Sequence, residues 1–131
     1  MSELFEQGRL QPGMMWVKVN GKITITQMEA SQQAGTDEML AHGEQRWVVI
    51  LDLTDGSMPA FDLNLAAMRR VIQRDRQYAA GYVILGATTG VKFLLSAYER
   101  IFDVPMLLAS SKMGAVTIAE QLIASEHAAV G

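Results

Sequence analysis

The stretch WVVILDL, residues 47–53, decides the fold. It is an almost unbroken run of β-branched, leucine and aromatic side chains, without the alternation of polar and apolar residues that marks a half-exposed strand. Such a run is typical of a strand covered on both faces, which occurs where helices pack against each side of a sheet. We therefore predict that residues 47–53 form the central, buried strand of the domain.

The segment after the central strand is predicted to alternate between helix and strand. Asp62 has the position of an N-cap, so a helix is expected to follow it. The inward stripe of this helix is expected to contain Leu65, Met68 and Ile72. Residues 81–85 form a second run of mostly apolar side chains, which predicts another buried strand.

The last third of the chain is expected to supply two more helices and an edge strand. One helix is predicted over residues 91–101, and a final helix begins near Ser111. Because proline cannot donate a backbone hydrogen bond, Pro105 places residues 105–109 in a short strand at the edge of the sheet. The side chains expected to face inward are Leu94, Ala97, Tyr98 and Ile101 in the first helix and Ala115, Ala119, Leu122 and Ile123 in the second.

Upstream of the central strand, the pattern indicates a hairpin and one helix. Residues 5–10 and 14–20 are prone to form strands, and they flank Pro12-Gly13, a pair suited to a tight turn. Residues 26–29, from Thr26 to Glu29, have the spacing of a capping box, in which each side chain accepts a hydrogen bond from the other's backbone. A helix is therefore expected from there to about His42.

Alternating strands and helices predict an α/β fold. The expected sheet is mostly parallel, with four or five strands, right-handed crossovers and an N-terminal hairpin. We expect a single domain over residues 1–131, with flexible ends at residues 1–4 and 126–131. Ligands of such sheets bind beyond the carboxyl ends of the strands, so the candidate loops are residues 54–62, 86–90 and 110–113.

Composition narrows the classes of function. The chain has no cysteine, which removes disulfides, thiolate metal sites and cysteine nucleophiles. Its net charge of -3 disfavours general binding to nucleic acid. No apolar run approaches the roughly 18 residues of a membrane span, and no signal-peptide pattern opens the sequence, so we expect a cytoplasmic protein. The apolar fraction of 50% favours a self-association face or an apolar ligand groove.

Three carboxylates, Asp52, Asp55 and Asp62, follow the central strand closely enough to suggest a magnesium or phosphoryl-acceptor site. We favour structural explanations: Asp62 caps a helix, Asp55 belongs to an Asp-Gly turn, and Asp52 binds a loop amide. The strand and the following Met58-Pro59 are similar to the acceptor strand of a response-regulator receiver. However, residues 14–21 lack the acidic pair with which such a domain holds magnesium.

Other polar groups predict weaker sites. Thr88, Thr89 and Gly90 lie where the second buried strand passes into a helix, and free amides at a helix N-terminus favour an anion. No P-loop ending is present, and a threonine there is equally explained as an N-cap. His42 and His127 are too far apart in sequence to predict a metal pair. We predict no metal and no cofactor.

Four arginines, Arg69, Arg70, Arg74 and Arg76, are concentrated in the helix after the central strand. They are consistent with a patch that faces an acidic protein partner. A solvated helix face explains them equally well.

The order of these elements resembles the STAS superfamily, whose SpoIIAA-like fold is that of the anti-sigma factor antagonists. The likeness extends from about residue 14 to 123. Residues 17–24, VKVNGKIT, are similar to the family's strand that ends in glycine before its first helix, and residues 48–55 are similar to its central strand. Residues 104–108, VPMLL, and the last helix look like the closing unit of uncharacterised bacterial STAS/SEC14-like members.

The resemblance implies a regulatory module that a kinase-type anti-sigma factor phosphorylates. The acceptor serine stands in an Asp-Ser-Ser/Thr-Gly motif at the start of the helix after the central strand. The matching positions here are residues 60–63, AFDL, which lack both the serine and the glycine, although Ser57 lies nearby. The resemblance therefore carries over the position of the site and not its phosphorylation.

These observations favour a non-enzymatic regulatory or protein-binding module. Its expected surface contains Ser57, Met58, Phe61 and Asp62, because apolar side chains occupy a loop that ought to be polar. The occupant is a protein partner or a second copy of the chain. Carriage of a small apolar or lipid-like ligand is the alternative that the SEC14-like likeness implies. A degenerate receiver or phosphotransfer enzyme is disfavoured, because the sequence shows no catalytic constellation.

Overall fold

The computed structural model describes residues 4–57 and 64–130. Their strands form one five-stranded sheet, in which the strands lie side by side in chain order. The first two strands form an antiparallel hairpin, and every later pair is parallel. The predicted α/β sheet with an N-terminal hairpin is thus confirmed. The strands are β1 (Phe5–Gln11), β2 (Met14–Lys22), β3 (Trp47–Ser57), β4 (Ala79–Leu85) and β5 (Met106–Ala109).

Four described helices cover the two faces of the sheet. The first three pack on one face, each against the next along the chain, and the last packs across β3, β4 and β5 on the other face. No described helix combines the length and apolar character needed to cross a membrane. The helices are α1 (Ile25–Ala41), α2 (Leu65–Tyr78), α3 (Thr89–Phe102) and α4 (Lys112–Val130).

Strand β3 lies in the middle of the sheet and is buried on both sides. Val49 and Leu51 belong to the core beneath α1, α2 and α3, whereas Val48 and Ile50 belong to the core beneath α4. Every residue from 47 to 53 is buried, the carboxylate of Asp52 included. The prediction of a central strand covered on both faces is confirmed.

Helix α1 begins earlier than the sequence predicted. Its N-cap is Thr24, whose hydroxyl accepts a hydrogen bond from the Gln27 amide at 3.1 Å, while the Gln27 side-chain oxygen accepts one from the Thr24 amide at 2.9 Å. The predicted capping box at residues 26–29 is therefore wrong. The sequence fits both registers, and in the observed one Ile25 is the first residue of the helix and is buried.

Helix α2 also differs from the prediction at its start. Asn64 is the N-cap, and its side-chain oxygen accepts from the Ala67 amide at 3.1 Å. The predicted cap, Asp62, lies outside the described residues. The inward placement of Leu65 is wrong. The buried stripe contains Ala67, Val71 and Asp75, whereas Leu65 is the first residue of the helix and its side chain is exposed.

The buried stripe of α3 is shifted along the helix. Leu95 and Phe102 are buried together with the predicted Tyr98, whereas Ala97 is exposed. Leu95 and Phe102 face inward in preference to Ala97 because burying their larger side chains removes more apolar surface from water. The side chain of Leu94, also predicted inward, lies outside the described part of the chain.

The stripe of α4 follows the prediction. Ala115 and Ala119 are fully buried, and Leu122 and Ile123 pack against the same core.

Residues 54–57 extend β3 and do not form the loop that the sequence predicted. Asp55 and Gly56 pair with Asn20 and Gly21 beyond a register shift, so the turn proposed for Asp55 is wrong. A Cβ at Gly56 would lie 2.4 Å from the carbonyl oxygen of Val19, which only glycine avoids. The structural role of Asp52 is confirmed, since its Oδ1 accepts from the Thr54 amide at 2.9 Å.

Replacing Gly56 by alanine tests this close approach. We expect Gly56→Ala to lower the free energy of unfolding in urea by about 1–3 kcal/mol, because the methyl group meets backbone that cannot move away. Gly8→Ala is the matched control, since a Cβ there stands 3.8 Å from its nearest neighbour. It should change stability by less than about 0.5 kcal/mol. Equal losses in the two variants would contradict the assignment.

Candidate functional site

Of the four residues in the surface predicted from the sequence, the structure describes only Ser57. Ser57 is the last residue of β3 and pairs with Lys22 of β2. Met58, Phe61 and Asp62 lie outside the described residues. The involvement of this loop therefore stays a prediction, and the described residues beside it supply the geometry.

Three apolar side chains are exposed at the carboxyl edge of the parallel strands. Leu65 is 70% exposed, Phe93 84% and Met113 81%, and no other large apolar side chain of the described chain is as open to solvent. Each stands in the first two turns of a helix that follows a parallel strand, so all three lie at one edge of the sheet. Leu65 and Phe93 share the face covered by α2 and α3, and we call them the rim pair.

Two exposed cations stand in the same helices as the rim pair. Arg69 follows Leu65 by one helical turn and so lies on the same side of α2, and Lys92 comes directly before Phe93 in the sequence. Both side chains are exposed, and neither has an ion-pair partner among the described residues. Arg70 differs, because it pairs with Glu29 of α1, which raises the pKa of Arg70 and lowers that of Glu29.

Among the described residues, the other sites predicted from the sequence do not come together to form one binding site. Thr88 is the N-cap of α3 and accepts from the Val91 amide at 3.2 Å, while Thr89 and Gly90 form the first turn. Anion binding there stays a prediction. The ring of His42 contacts the carbonyl of its own helix. The described residues bring no three histidine or acidic side chains together as a metal site.

The structure adds a cavity that the sequence analysis missed. A space of ≈ 50 Å³ lies between α1, α2 and the sheet. Its walls are mostly apolar side chains from β2 and β3. Polar side chains converge on it from both helices and from β4: Ser31, Gln32, Thr36, Arg74, Asp75 and Tyr82.

Asp75 is the most unusual member of this set. It is only 3% exposed. Its Oδ1 accepts hydrogen bonds from the Tyr82 hydroxyl at 2.5 Å and from Nε2 of the Gln32 side chain at 2.9 Å. Its Oδ2 is buried and has no hydrogen-bond partner among the described residues. Burial raises the pKa of Asp75 to about 6, although the bonds from Tyr82 and Gln32 and the charge of Arg74 act in the opposite direction.

Neighbouring groups hold the carboxyl of Asp75 in place. Gln32 also donates to the Val71 carbonyl at 2.9 Å, and its side-chain oxygen accepts from Arg74 at 3.2 Å. Burial and the nearby carboxylate raise the pKa of Tyr82 well above its usual value, so its hydroxyl remains a donor. The hydrogen bonds from Tyr82 and the Gln32 side chain therefore fix the position of the Asp75 carboxyl within the core.

The residues on either side of Asp75 explain why the sequence analysis did not predict that it is buried. Asp75 stands between Arg74 and Arg76 in a segment that resembles a solvated helix face. The available signal was its spacing, because Asp75 follows Val71 by four residues and so falls on the buried stripe.

The volume of the cavity limits what it can hold. Pockets for drug-sized ligands measure roughly 300–1,000 Å³, several times the ≈ 50 Å³ found here. As it stands, the cavity has no room for a lipid chain.

Comparisons with known proteins establish the fold. No family model matches the sequence, and no curated protein matches it significantly. Among solved structures, the chain is similar to an uncharacterised protein of the DUF3478 family with a SpoIIAA-like fold from Shewanella loihica PV-4. The TM-score is 0.63 at 12% identity, over 91% of this chain and 98% of that one. The SpoIIAA-like fold implied by the resemblance to the STAS superfamily is confirmed.

The buried carboxyl should make stability depend on pH. The pKa of Asp75 is about 6 in the folded chain against an ordinary value of 3.8, so the folded state binds more protons between those values. Its contribution is complete below pH 3.8 and is lost as the pH rises through about 6. At roughly 1.4 kcal/mol for each pH unit, the loss is about 3 kcal/mol.

Urea unfolding of the wild type and Asp75→Asn between pH 4 and pH 7.5 measures this effect. As the pH rises through about 6, the free energy of unfolding of the wild type relative to Asp75→Asn should fall by about 3 kcal/mol in total. It should level off at higher pH. Asp37→Asn, at an exposed position of α1, is the control and should show no such trend. A constant difference between wild type and Asp75→Asn would contradict the assignment.

Proposed function

We propose that this chain is a non-enzymatic, cytoplasmic regulatory module that binds a protein partner through the carboxyl edge of its sheet. The exposure of the rim pair carries the proposal. Large apolar side chains that stand this far into water at one edge are typical of an interaction surface. Residues 58–63, MPAFDL, come before Asn64 and Leu65 in the sequence and are mostly apolar.

Burial of the rim pair against a partner would contribute favourably to the free energy of binding. Burying an aromatic or leucine side chain gives about 1.5–3 kcal/mol relative to leaving it in water. Leu65 and Phe93 are 70% and 84% exposed, so little of this free energy is gained by folding. A partner that covers both side chains would gain most of it on binding.

Charge indicates what kind of partner fits. Arg69 lies one helical turn after Leu65, Lys92 comes directly before Phe93 in the sequence, and both are exposed without ion-pair partners among the described residues. A partner segment that combines apolar and acidic side chains complements both features. A symmetric dimer through the same surface would bring these cations toward their own copies, which is unfavourable. The proposed occupant is therefore a different protein with an acidic, apolar segment.

The fold supports the same position. The resemblance to the anti-sigma factor antagonists implies partner binding at the start of the helix after the central strand, where Leu65 stands. The proposal does not include phosphorylation, because the matching acceptor position is not a serine.

Photocrosslinking tests where the partner binds. A benzoylphenylalanine introduced at position 93 in the native cell should crosslink one other protein, whose contact segment is acidic and apolar. The same probe at position 113, equally exposed on the opposite face, should not capture that protein. Crosslinks only between copies of this chain would overturn the proposed occupant.

Affinity measurements with the purified pair complete the test. Leu65→Asp and Phe93→Asp should each weaken binding by about 30-fold or more, as expected for an anchor worth 2 kcal/mol. Lys92→Glu should weaken it less and reduce its dependence on salt. Met113→Asp is the matched control and should bind like the wild type. Wild-type affinity in both Leu65→Asp and Phe93→Asp would contradict the proposal.

A further inference from the structure

We infer that β5 is a self-association edge, at which two copies of the chain pair antiparallel about a twofold axis and form one continuous sheet. Strand β5 lies at the end of the sheet, and among the described strands it pairs with β4 alone. Three features favour a second copy there: open backbone groups, apolar side chains and the charges on the neighbouring helix. The contact is independent of whether another protein binds at the rim pair.

The register with β4 decides which backbone groups of β5 face outward. The Tyr82 amide donates to the Pro105 carbonyl at 2.8 Å, and Tyr82 lies opposite Met106 in the parallel ladder. Alternate residues of a strand direct their N–H and C=O groups to opposite sides. Met106 and Leu108 therefore direct theirs away from β4.

Only one of these two residues has its outward amide capped. Oε2 of Glu99, in α3, accepts a hydrogen bond from the Met106 amide at 3.0 Å. Among the described residues, no group bonds to the outward N–H or C=O of Leu108. A strand edge with such open groups is a template for pairing with a further strand.

The two edges of the sheet differ in how they are protected against pairing. Strand β1 carries charged side chains, its register shifts after Arg9, and the Arg9 amide donates to Glu38 of α1 at 2.7 Å. Charges, irregular register and a capping side chain all discourage pairing. The β5 sequence, MLLA, has no charge, and its Leu107 and Leu108 are 40% and 42% exposed. Strand β5 is therefore the edge that favours a second copy.

A twofold axis through Leu108 satisfies the open backbone groups. The Leu108 N–H of each copy then donates to the Leu108 C=O of the other copy. Ser110, the next residue in the alternation, places its amide opposite the outward carbonyl of Met106 in the other copy. The Met106 amide keeps its bond to Glu99 in this register.

The side chains of β5 are complementary in the same register. Leu108 lies on the face covered by α3 and meets Leu108 of the other copy. Leu107 lies on the face covered by α4 and stands opposite Ala109 of the other copy, so that a large side chain meets a small one. Pairing thus removes exposed leucine surface from water on both faces of the sheet.

The charges on α3 also fit a second copy in this position. Glu99 stands beside Met106, about 7 Å before Leu108 along the strand, and Lys92 stands on the same side of α3 about 10 Å nearer the carboxyl edge. Because the axis makes the two α3 helices antiparallel, Lys92 of each copy comes beside Glu99 of the other. Neither side chain has an ion-pair partner among the described residues.

This ion pair is compatible with the partner proposed above. The lysine ammonium group has three donors, so Lys92 can contact Glu99 of the other copy and an acidic group at the rim together.

Sedimentation velocity of the purified full chain tests the inference. Two short strands and the helices beside them form a small interface, below about 1,200 Å² in total, which is typical of weak complexes. We expect monomers at about 1 µM and mostly dimers at about 500 µM, with a Kd of about 10–100 µM. Only monomers at about 500 µM, or an open series of larger species, would overturn the inference, because twofold pairing stops at two copies.

Two substitutions at Leu108 locate the contact. Leu108→Lys places a charge on the edge, and Leu108→Pro removes the outward N–H without removing a bond to β4. Each should weaken dimerisation at least 10-fold. Leu10→Lys is the matched control, because Leu10 is 39% exposed in the opposite edge strand, and it should dimerise like the wild type. Wild-type dimerisation in both Leu108 variants, or an equal loss in Leu10→Lys, would overturn the site.

A charge exchange on α3 tests the antiparallel arrangement and leaves β5 intact, so it decides if the Leu108 variants do not fold. Lys92→Glu and Glu99→Lys both change exposed positions. Each should weaken dimerisation about 3- to 10-fold, because it brings like charges together. The double variant, Lys92→Glu with Glu99→Lys, should restore the affinity of the wild type. A double variant no tighter than either single one would contradict the arrangement and overturn the inference.

Discussion

Strand β3 has to remove apolar side chains from water on two sides at once, and the rest of the structure follows from that requirement. Val48 and Ile50 face α4, while Val49 and Leu51 face the three other helices. Two covered faces demand helices between the strands, and helices between strands make the neighbouring pairs parallel. The antiparallel hairpin of β1 and β2 is the part of the sheet that needs no crossover.

Parallel pairing also decides where function can be placed. The helices that follow β3, β4 and β5 all begin at one edge, so their first turns are gathered there whatever their sequences. In this chain those turns carry Leu65, Phe93 and Met113, which the core does not need. The cavity beneath α1 and α2 is a separate feature, in which Asp75 occupies a place on the buried stripe that an apolar residue would normally take.

The sequence was sufficient for elements whose pattern admits a single interpretation. The run at residues 47–53 and the stripe of Ala115 and Ala119 predicted both their elements and their burial, because each pattern fits one periodicity. It was insufficient where local signals compete. Two overlapping capping boxes precede α1, and the inward position of Leu65 fits the spacing of α2 but not its actual start. Asp75 was missed because its neighbours Arg74 and Arg76 made the segment look solvated.

Native-state hydrogen exchange of the backbone amides tests the role of β3 most directly. If this strand is the shared centre of both cores, the amides of residues 48–53 exchange only through global unfolding, with an opening free energy equal to that of the whole chain. Those of the edge strands β1 and β5 then exchange through smaller openings. Amides of β3 that exchange faster than those of either edge strand would contradict the account.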